Sequence, residues 1–310
     1  MILRGGYVLR VVTLTLNPAL DLSTRVGQVV AEDKLRCEAP LRDPGGGGIN
    51  VARAVVRLGG QALAVFPLGG ATGDLLVDAV RSQDVDVEVV RTRADTRENV
   101  SVTETSSGRQ FRFVMPGAAL AGDETASCLR AVTEAQADLI VTSGSLPPGP
   151  SDDTYAELIR MCAGRRVLVD TSGPALRAAV DAGAWLVKPN LRELGDLVGR
   201  DLEDDEAISA AARELLGGGT EVVVVSMGAG GVWLVSADRT EHVRSPTVPI
   251  RSRVGAGDST VAGIAVALLR GEDLPTAVRR GVAAGAAAVM TEGSELCRAE
   301  DAERLYAQLQ

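Results

Sequence analysis

The hydrophobic pattern of the chain alternates between short apolar runs, which predict buried strands, and longer periodic stretches, which predict helices. The first β-branched and apolar run covers residues 11–16 and stops at Asn17-Pro18. The further predicted strands are 62–68, 85–90, 138–142, 167–170, 185–187, 222–225 and 232–235. The predicted helices are 50–58, 72–83, 260–269, 274–290 and 299–309, with another that opens at Asn190. This order predicts a doubly wound α/β fold with a mostly parallel sheet.

Two segments interrupt the regular order of strands and helices. Residues 99–115 form two alternating stretches around Ser106-Ser107-Gly108, which is typical of a β-hairpin. Residues 21–40 form the other interruption. We therefore expect one domain over residues 1–310, with lid segments at about 21–40 and 96–115 that form a small separate sheet. No internal repeat or low-complexity linker divides the chain.

A run of four glycines, Gly45 to Gly48, precedes the predicted helix that begins at Asn50. Each glycine adds backbone entropy that folding must remove, and packing gives no reason for four in succession. Close approach of the backbone to a ligand is the favoured interpretation, and a flexible surface loop is the alternative. The Asn50 amide would point to the same place.

A second glycine motif, Val254 to Ser259, opens the helix at 260–269. Gly255 and Gly257 let the backbone approach a ligand, and the first N–H groups of the helix favour an anion there. Asp258 lies where that anion would bind. It either caps the helix or acts as a base that takes a proton from an alcohol beside the anion site.

Polar residues and glycines follow four of the predicted strands. The segments are Ser143 to Gly149, Thr171 to Gly173, Lys188 to Asn190 and Ser226 to Gly231. Ligands bind at the carboxyl ends of strands in open parallel sheets, so we expect a site at this edge. Asp21 is predicted just beyond the end of the first strand, where it either accepts hydrogen bonds from ligand hydroxyls or caps the turn.

The first turn of the helix at Asn190 places the side chains of Asn190 and Glu193 on one face. They form either a capping box or a pair that positions the water ligands of a metal near phosphates.

The turn Ser226 to Gly231 either passes over a nucleotide or is a tight connection into the next strand. The sequence contains no P-loop and no dinucleotide-binding glycine motif.

Composition narrows the function classes. The net charge of −9 argues against a nucleic-acid surface, and no apolar run reaches membrane-spanning length. The four cysteines are far apart, which suggests neither a zinc site nor a disulfide framework and favours a reducing compartment. With no signal peptide recognised in residues 1–10, we expect a cytoplasmic protein.

The chain has a single histidine, His242, so acid–base chemistry would have to be carried out by carboxylates. Arginines such as Arg97 are by default solvated surface residues, but Lys34, Arg36 and Arg97 together on a mobile flap would suit a phosphorylated substrate.

Three motifs, Gly45 to Ala52, Asn190 to Glu193 and Val254 to Ser259, together resemble the ribokinase or PfkB family of sugar kinases over essentially the whole chain. Within that family the Gly45 to Arg53 run looks like the phosphosugar kinases rather than ribokinase or adenosine kinase. The resemblance implies a ribokinase-like fold whose small sheet is a lid that also pairs two subunits in a homodimer. It also implies ATP-dependent phosphorylation of fructose 6-phosphate at the 1-hydroxyl, giving fructose 1,6-bisphosphate, as in glycolysis.

The resemblance assigns roles to single residues. Asp258 would be the base, and the anion hole would be Gly255, Ala256 and Gly257. The sugar hydroxyls would be held by Asp21, Gly46, Gly47 and Asn50. The existing 6-phosphate would be bound by Lys34, Arg97 and Ser145. The ATP site would be lined by Lys188, Asn190, Ser226, Gly228, Gly230 and Gly231. Mg²⁺ would be contacted, mostly through water, by Asp170 and Glu193.

The chain also departs from the family pattern. This chain has Ser252-Arg253 and Glu295. At the first place many members carry an Asp-Thr pair, associated with a monovalent cation, and at the second a similar member carries an arginine. A potassium site here would be bounded by Ser252, Val254, Ala288, Thr291 and Gly293.

Two alternative activities, phosphorylation of fructose 1-phosphate or of tagatose 6-phosphate, would use nearly the same catalytic and binding residues as the phosphorylation of fructose 6-phosphate. A catalytically silent sugar-phosphate sensor is the alternative from another class, and the intact Asp258 speaks against it.

Overall fold

A computed structural model of the chain describes Leu3–Arg4, Tyr7–Val8 and residues 10–310. The strands in chain order are β1 (Leu3–Arg4), β2 (Tyr7–Val8), β3 (Val11–Leu14), β4 (Ala19–Val26), β5 (Leu41–Gly45), β6 (Ala62–Leu68), β7 (Asp86–Arg91), β8 (Arg97–Glu104), β9 (Gln110–Phe113), β10 (Leu139–Ser143), β11 (Val167–Asp170), β12 (Leu186–Val187), β13 (Val222–Ser226), β14 (Val232–Ser236) and β15 (Thr240–Val243). The helices are α1 (Gly47–Arg57), α2 (Gly70–Arg81), α3 (Gly122–Glu134), α4 (Thr154–Met161), α5 (Gly173–Asp181), α6 (Leu191–Val198), α7 (Asp205–Glu214), α8 (Ala256–Leu269), α9 (Leu274–Val289) and α10 (Ala299–Tyr306).

A nine-stranded sheet forms the centre of the molecule, in the order β15-β14-β13-β12-β11-β10-β3-β6-β7. Its strands pair in parallel from β13 to β7, and β14 and β15 add an antiparallel edge. The predicted doubly wound, mostly parallel sheet is thus confirmed. The inner strands from β13 to β6 are largely apolar on both faces because helices cover both faces.

Two hydrophobic cores lie on opposite faces of this sheet. Along β13, Val222 and Val224 pack in one core and Val223 and Val225 in the other. The first core includes residues of α1, α2, α8, α9 and α10, and the second includes residues of α3 to α7. The alternation follows from the two-residue period of strand side chains and gives a three-layer α/β/α arrangement.

Helices α8 and α9 pack closely because glycines stand where they cross. A Cβ at Gly281 would lie 2.7 Å from the Thr260 carbonyl oxygen, and one at Gly263 would lie 2.8 Å from the Arg280 carbonyl oxygen. The small side chains of α9 thus permit this close packing. It holds the first turn of α8 against the body of the domain.

The small sheet has the order β5-β4-β8-β9. Strands β8 and β9 pair antiparallel, which confirms the predicted hairpin, and β4 pairs parallel with β8. Asp21 lies inside β4, not after the end of the preceding strand, because the chain enters the small sheet at Ala19. Residues 27–40 contain no strand and are mostly exposed. The role of this sheet as a lid stays a prediction. No helix in the described part of the chain is both long and apolar enough to cross a membrane.

Candidate active site

The start of α1 lies against the carboxyl ends of β3 and β10. A Cβ at Gly47 would overlap the Ser143 hydroxyl and lie 2.9 Å from the Gly144 nitrogen, and one at Gly48 would lie 2.5 Å from the Leu14 carbonyl oxygen. Gly46 has φ +116°, a conformation that side chains strongly disfavour. The expectation that packing has no use for this glycine run is therefore wrong. The glycines let the helix start approach the strand ends.

Asp258 lies in the first turn of α8 and faces α1. The helix is preceded by Gly255, whose φ of +73° is left-handed and whose Cβ, if present, would overlap Leu296. The Asp258 Oδ2 atom accepts a hydrogen bond of 3.0 Å from the Asn50 side-chain nitrogen, which is 208 residues away in sequence. The two glycine motifs thus meet through these two side chains.

The Asp258 carboxyl has a pKa of about 6, raised from 3.8. Burial is the main cause and the charge of Asp170 adds to it, while Asn50, Lys188 and Arg53 oppose the rise. A carboxylate of this pKa is largely ionised at neutral pH and is a better proton acceptor than an exposed aspartate. The group has the properties required of a general base.

Lys188 provides a buried positive charge beside the same helix start. It follows β12, is 6% exposed, and its Nζ atom lies 3.1 Å from Asp170 Oδ1. A Cβ at Gly257 would lie 3.6 Å from that Nζ atom. Burial alone would lower the pKa of Lys188, but the charges of Asp170, Asp258 and Glu193 raise it overall. The ammonium and the free N–H groups of the α8 first turn together favour an anion.

Asn190 and Glu193 form a reciprocal capping box at the start of α6. Glu193 N donates to Asn190 Oδ1 over 2.9 Å, and Asn190 N donates to Glu193 Oε2 over 2.8 Å. Burial raises the pKa of Glu193, against the hydrogen bonds to Asn190 and the charge of Lys188. The capping interpretation is confirmed, and the metal role stays a prediction.

The turn from Ser226 to Gly231 lies next to the start of α6. Asn190 and Ser226 form a parallel bridge, and Ser226 N donates to the Pro189 carbonyl oxygen over 2.9 Å. An exposed 3₁₀ turn, Gly228–Gly230, follows, and Met227 N then donates to the Gly231 carbonyl oxygen over 2.9 Å. The segment is a tight connection into β14, and its exposed backbone lies on the Asn190 side of the sheet.

Asp21 and the glycine run meet in the small sheet. Asp21 Oδ1 accepts a hydrogen bond of 2.8 Å from Asn99, and a Cβ at Gly45 would overlap its carboxylate. Burial raises the pKa of Asp21, opposed by the Asn99 hydrogen bond and by the charges of Arg97 and Arg112. Asn99 was not among the sequence candidates. Its place opposite Asp21 depends on the β4–β8 register, which local sequence does not reveal.

Arg97 and Ser145 are linked through Asn17, another residue that the sequence did not single out. Arg97 donates to the Asn17 carbonyl oxygen over 3.0 Å and to the Met115 carbonyl oxygen over 2.8 Å. The Asn17 side chain donates to Ser145 Oγ over 3.2 Å. Lys34 is not brought into this group: it is exposed, and the described contacts give its side chain no hydrogen bond or ion pair.

The residues proposed for potassium lie together between α9 and the start of α8. Ser252 Oγ donates to the Gly293 carbonyl oxygen over 2.7 Å, and Val254 N donates to Ser252 Oγ over 3.2 Å. Thr291 Oγ1 lies 2.7 Å from the Ala288 carbonyl oxygen. These neutral oxygens are of the kind that binds monovalent cations.

Comparison with known proteins agrees with this geometry. The family model of the pfkB family carbohydrate kinases matches residues 14–301. ATP-dependent 6-phosphofructokinase isozyme 2 of Escherichia coli is 45% identical over 307 residues, which cover 97% of this chain and 99% of that protein. The 1-phosphofructokinase of Xanthomonas campestris pv. campestris is 36% identical over 84% of this chain and 85% of that protein.

Solved structures match over nearly their full length. Phosphofructokinase-2 from E. coli in complex with potassium gives a TM-score of 0.94 at 45% identity, covering 97% of this chain and 99% of that one. The same protein in complex with fructose-6-phosphate gives 0.92 at 44% identity with the same coverage. Another of its structures is a tetrameric inhibited form. Ribokinase from Thermotoga maritima shares the fold, with a TM-score of 0.79 at 22% identity over 97% of this chain and all of that one, which confirms the ribokinase-like expectation. The chain belongs to the pfkB family of carbohydrate kinases.

Proposed function

We propose that the protein catalyses the ATP-dependent phosphorylation of fructose 6-phosphate at its 1-hydroxyl, giving fructose 1,6-bisphosphate. The observation that carries the proposal is the Asp258 carboxylate in the first turn of α8, with the Lys188 ammonium beside the same turn. This arrangement joins a proton acceptor to an anion-binding helix start, which phosphoryl transfer to an alcohol requires. Two findings support fructose 6-phosphate as the substrate: the name of the E. coli relative, and the structure of that enzyme in complex with fructose-6-phosphate.

Asp258 is the proposed base. A sugar hydroxyl is a weak nucleophile, so its proton needs to leave only as the new P–O bond forms, and a carboxylate with a pKa of about 6 can accept it at neutral pH. The backbone N–H groups of Gly255, Ala256 and Gly257 are proposed to stabilise the charge on the transferred phosphoryl group. Positioning and charge stabilisation supply most of the rate.

The nucleotide is proposed to bind along the edge formed by Lys188, Asn190 and the Ser226 to Gly231 turn. ATP use follows from membership of the family. The described residues contain no group of three or more histidine, cysteine or carboxylate side chains that could hold a metal. The site therefore suits Mg²⁺ that arrives with the nucleotide phosphates, with Asp170 and Glu193 reaching its water ligands. When bound, Mg²⁺ neutralises charge on the phosphates.

The sugar phosphate is proposed to bind between the small sheet and the α1 start. Asp21, Gly46, Gly47 and Asn50 are proposed for the hydroxyls, and Lys34, Arg97 and Ser145 for the 6-phosphate. Arg97 and Ser145 are already linked through Asn17, whereas Lys34 sits on the exposed 27–40 loop, which must move toward the site to contribute. Closure of this sheet as a lid would exclude water and limit ATP hydrolysis.

Potassium is proposed to bind at the oxygens of Ser252, Val254, Ala288, Thr291 and Gly293. The E. coli enzyme in complex with potassium supports this, as does the cluster of neutral hydroxyl and carbonyl oxygens described above.

We also propose that two subunits pair through their small sheets.

The test is ADP production with ATP and Mg²⁺ against fructose 6-phosphate, fructose 1-phosphate, tagatose 6-phosphate and fructose. We expect the highest kcat/KM with fructose 6-phosphate, and a loss of about 10²–10⁴-fold in kcat on Asp258→Asn with little change in KM. Unchanged turnover in that variant would remove Asp258 from its role. No turnover by the wild-type protein with any of the four sugars would refute the proposed function.

Phosphorylation of fructose 1-phosphate is the second candidate. The 36% identity to a 1-phosphofructokinase over 84% of the chain favours it. It would keep the same base and nucleotide edge, and a higher kcat/KM for fructose 1-phosphate in the same assay would establish it.

A further inference from the structure

Arg53 is a buried cation in the middle of α1, directly beneath the proposed active site. The residue is only 2% exposed. Its Nη1 atom donates to Asn50 Oδ1 over 2.9 Å and to the Pro44 carbonyl oxygen over 3.0 Å, and its Nε atom donates to Gln83 Oε1 over 2.8 Å. Burial lowers the pKa of Arg53 to about 10, so the guanidinium is still charged at neutral pH. A charge is rarely buried to this degree without a partner network, and here the network leads to Asn50.

The contact with Arg53 decides which way the Asn50 amide points. A guanidinium has only donors, so the atom of Asn50 that faces it must be the oxygen. The NH₂ group of Asn50 then faces the other way, and it donates to Asp258 over 3.0 Å. The i to i+3 spacing places Asn50 and Arg53 on one face of α1.

We propose that Arg53 is a positioning residue for phosphoryl transfer: it fixes the Asn50 amide in the orientation that donates to Asp258 and so keeps the base ionised and aimed. The inference rests on the proposed function in one respect, since it takes Asp258 as the base. Without Arg53 the amide can turn over and present its oxygen to the carboxyl group. That arrangement favours the protonated acid, which donates a hydrogen bond but accepts no proton.

The other charges near Asp258 act from different elements. Asp170 at the end of β11 raises its pKa, and Lys188 after β12 lowers it. Arg53 on α1 also lowers it through space. Among the described contacts, Arg53 is the only one of these three groups that hydrogen-bonds to Asn50. The loss of Arg53 therefore removes both a direct charge effect and the control of the amide.

The experiment compares wild type with Arg53→Met, Arg53→Lys and Gln83→Met. The first variant removes the donor to Asn50, and the second keeps a cationic donor. The third is the matched control, because it removes the partner of Arg53 Nε and leaves the contact with Asn50 intact. The readouts are the pH profile of kcat and the titration of the Asp258 carboxyl carbon by NMR, assigned as the signal absent from Asp258→Asn.

We expect Arg53→Met to move the acid limb of kcat and the titration midpoint from about 6 to about 7 or above. At pH 6 its kcat would fall about 5-fold or more, because the ionised fraction of the base falls from about one half to about one tenth or less. Arg53→Lys should restore most of the wild-type profile, Gln83→Met should leave it unchanged, and KM for ATP should change little in all three. If Arg53→Met unfolds, Arg53→Gln replaces it, with the same expected direction because a neutral amide both donates and accepts and so does not fix the orientation of Asn50.

An unchanged midpoint in Arg53→Met or its replacement, or a shift in Gln83→Met as large as in that variant, would overturn the positioning role. The NMR titration needs no sugar substrate. A wild-type protein inactive on every sugar tested would therefore refute the proposed function, while the titration would still decide whether Arg53 controls the ionisation of Asp258.

Discussion

At the scale of single residues, the site holds an ionised carboxylate where burial disfavours it. Asp258 has a pKa of about 6 against an ordinary 3.8, and its partners Asn50 and Lys188 offset only part of the rise. The folded state therefore binds a proton at Asp258 more tightly than the unfolded chain does. As pH rises from about 4 to about 6 this group makes the fold progressively less stable.

Asp258→Asn should therefore lose activity and gain stability. The asparagine oxygen can still accept from Asn50, and no buried charge remains. The difference between 3.8 and about 6 corresponds to about 3 kcal/mol at most, so we expect a gain of about 1–3 kcal/mol in the free energy of unfolding at pH 7. Denaturant unfolding measures it, and the gain should shrink toward zero at about pH 4.

The control for this prediction is Asp152→Asn on the exposed surface. It should leave activity unchanged and should lack the gain in stability at pH 7 that is expected for Asp258→Asn. Equal stability of wild type and Asp258→Asn at pH 7 would show that the ionised carboxylate costs the fold nothing.

Site residues that belong to a local sequence motif could be predicted from the sequence. Site residues that are placed only by a contact between distant parts of the chain could not. Gly255 and Asp258 stand in a recognisable helix start. Asn17 and Asn99 are ordinary polar residues locally, and only the strand register places them against Ser145 and Asp21. Arg53 did leave a signal, because a charged residue in an otherwise apolar stretch of helix demands a buried partner.

At the scale of elements, the orientation of Asp258 depends on how closely α9 packs under the start of α8. A Cβ at Gly285 would overlap the Thr260 hydroxyl and lie 3.1 Å from the Ala256 carbonyl oxygen. Thr260 Oγ1 itself donates to that Ala256 oxygen over 2.9 Å. Added volume at Gly285 therefore presses on the turn that carries the base.

Gly285→Ala should lower both stability and kcat. Overpacking of this kind costs about 1–3 kcal/mol, and a small displacement of the base reduces kcat by roughly 10-fold or more. Thermal unfolding and steady-state kinetics measure the two effects. The matched control is Gly122→Ala at the exposed start of α3, where an added Cβ meets nothing within 4 Å and should be neutral or slightly stabilising. Identical behaviour of the two variants would contradict the packing argument.

Elements were predicted best where hydrophobic periodicity is strong. Strand β6 and strand β11 begin and end as expected, because continuous apolar runs bounded by turn residues leave little choice. Helices α3 and α7 were not singled out in the sequence. Their exposed faces are strongly polar, so the apolar positions that pack on the sheet are spread thinly along the chain. The glycine run was recognised, but its packing against β3 and β10 depends on the three-dimensional neighbours of α1.

At the scale of the whole molecule, the small sheet carries an unusual share of the exposed apolar surface. Leu41 is 70% exposed on β5, and Phe113 at the end of β9 is 50% exposed, with Val114 and Met115 following it. Leu41 and Phe113 lie on the two opposite edge strands of this sheet, and Phe113, Val114 and Met115 are consecutive in the chain. Clusters of exposed apolar residues commonly mark an interaction surface. These residues support the proposal that two subunits pair through their small sheets, and the lid and the subunit contact would then be the same element.

Phe113→Asp should convert the proposed dimer to a monomer, because a charge buried in an apolar contact has no partner there. Light scattering after size-exclusion chromatography measures the mass. The matched control is Met161→Asp at the end of α4, where the methionine is 44% exposed and lies outside the small sheet. The monomer should keep its fold by circular dichroism and lose affinity for fructose 6-phosphate more than for ATP, since the small sheet is proposed to bind the sugar. If Phe113→Asp keeps the wild-type mass while Met161→Asp lowers it, the contact lies on another face, and the exposed residues of the small sheet would then need a different partner.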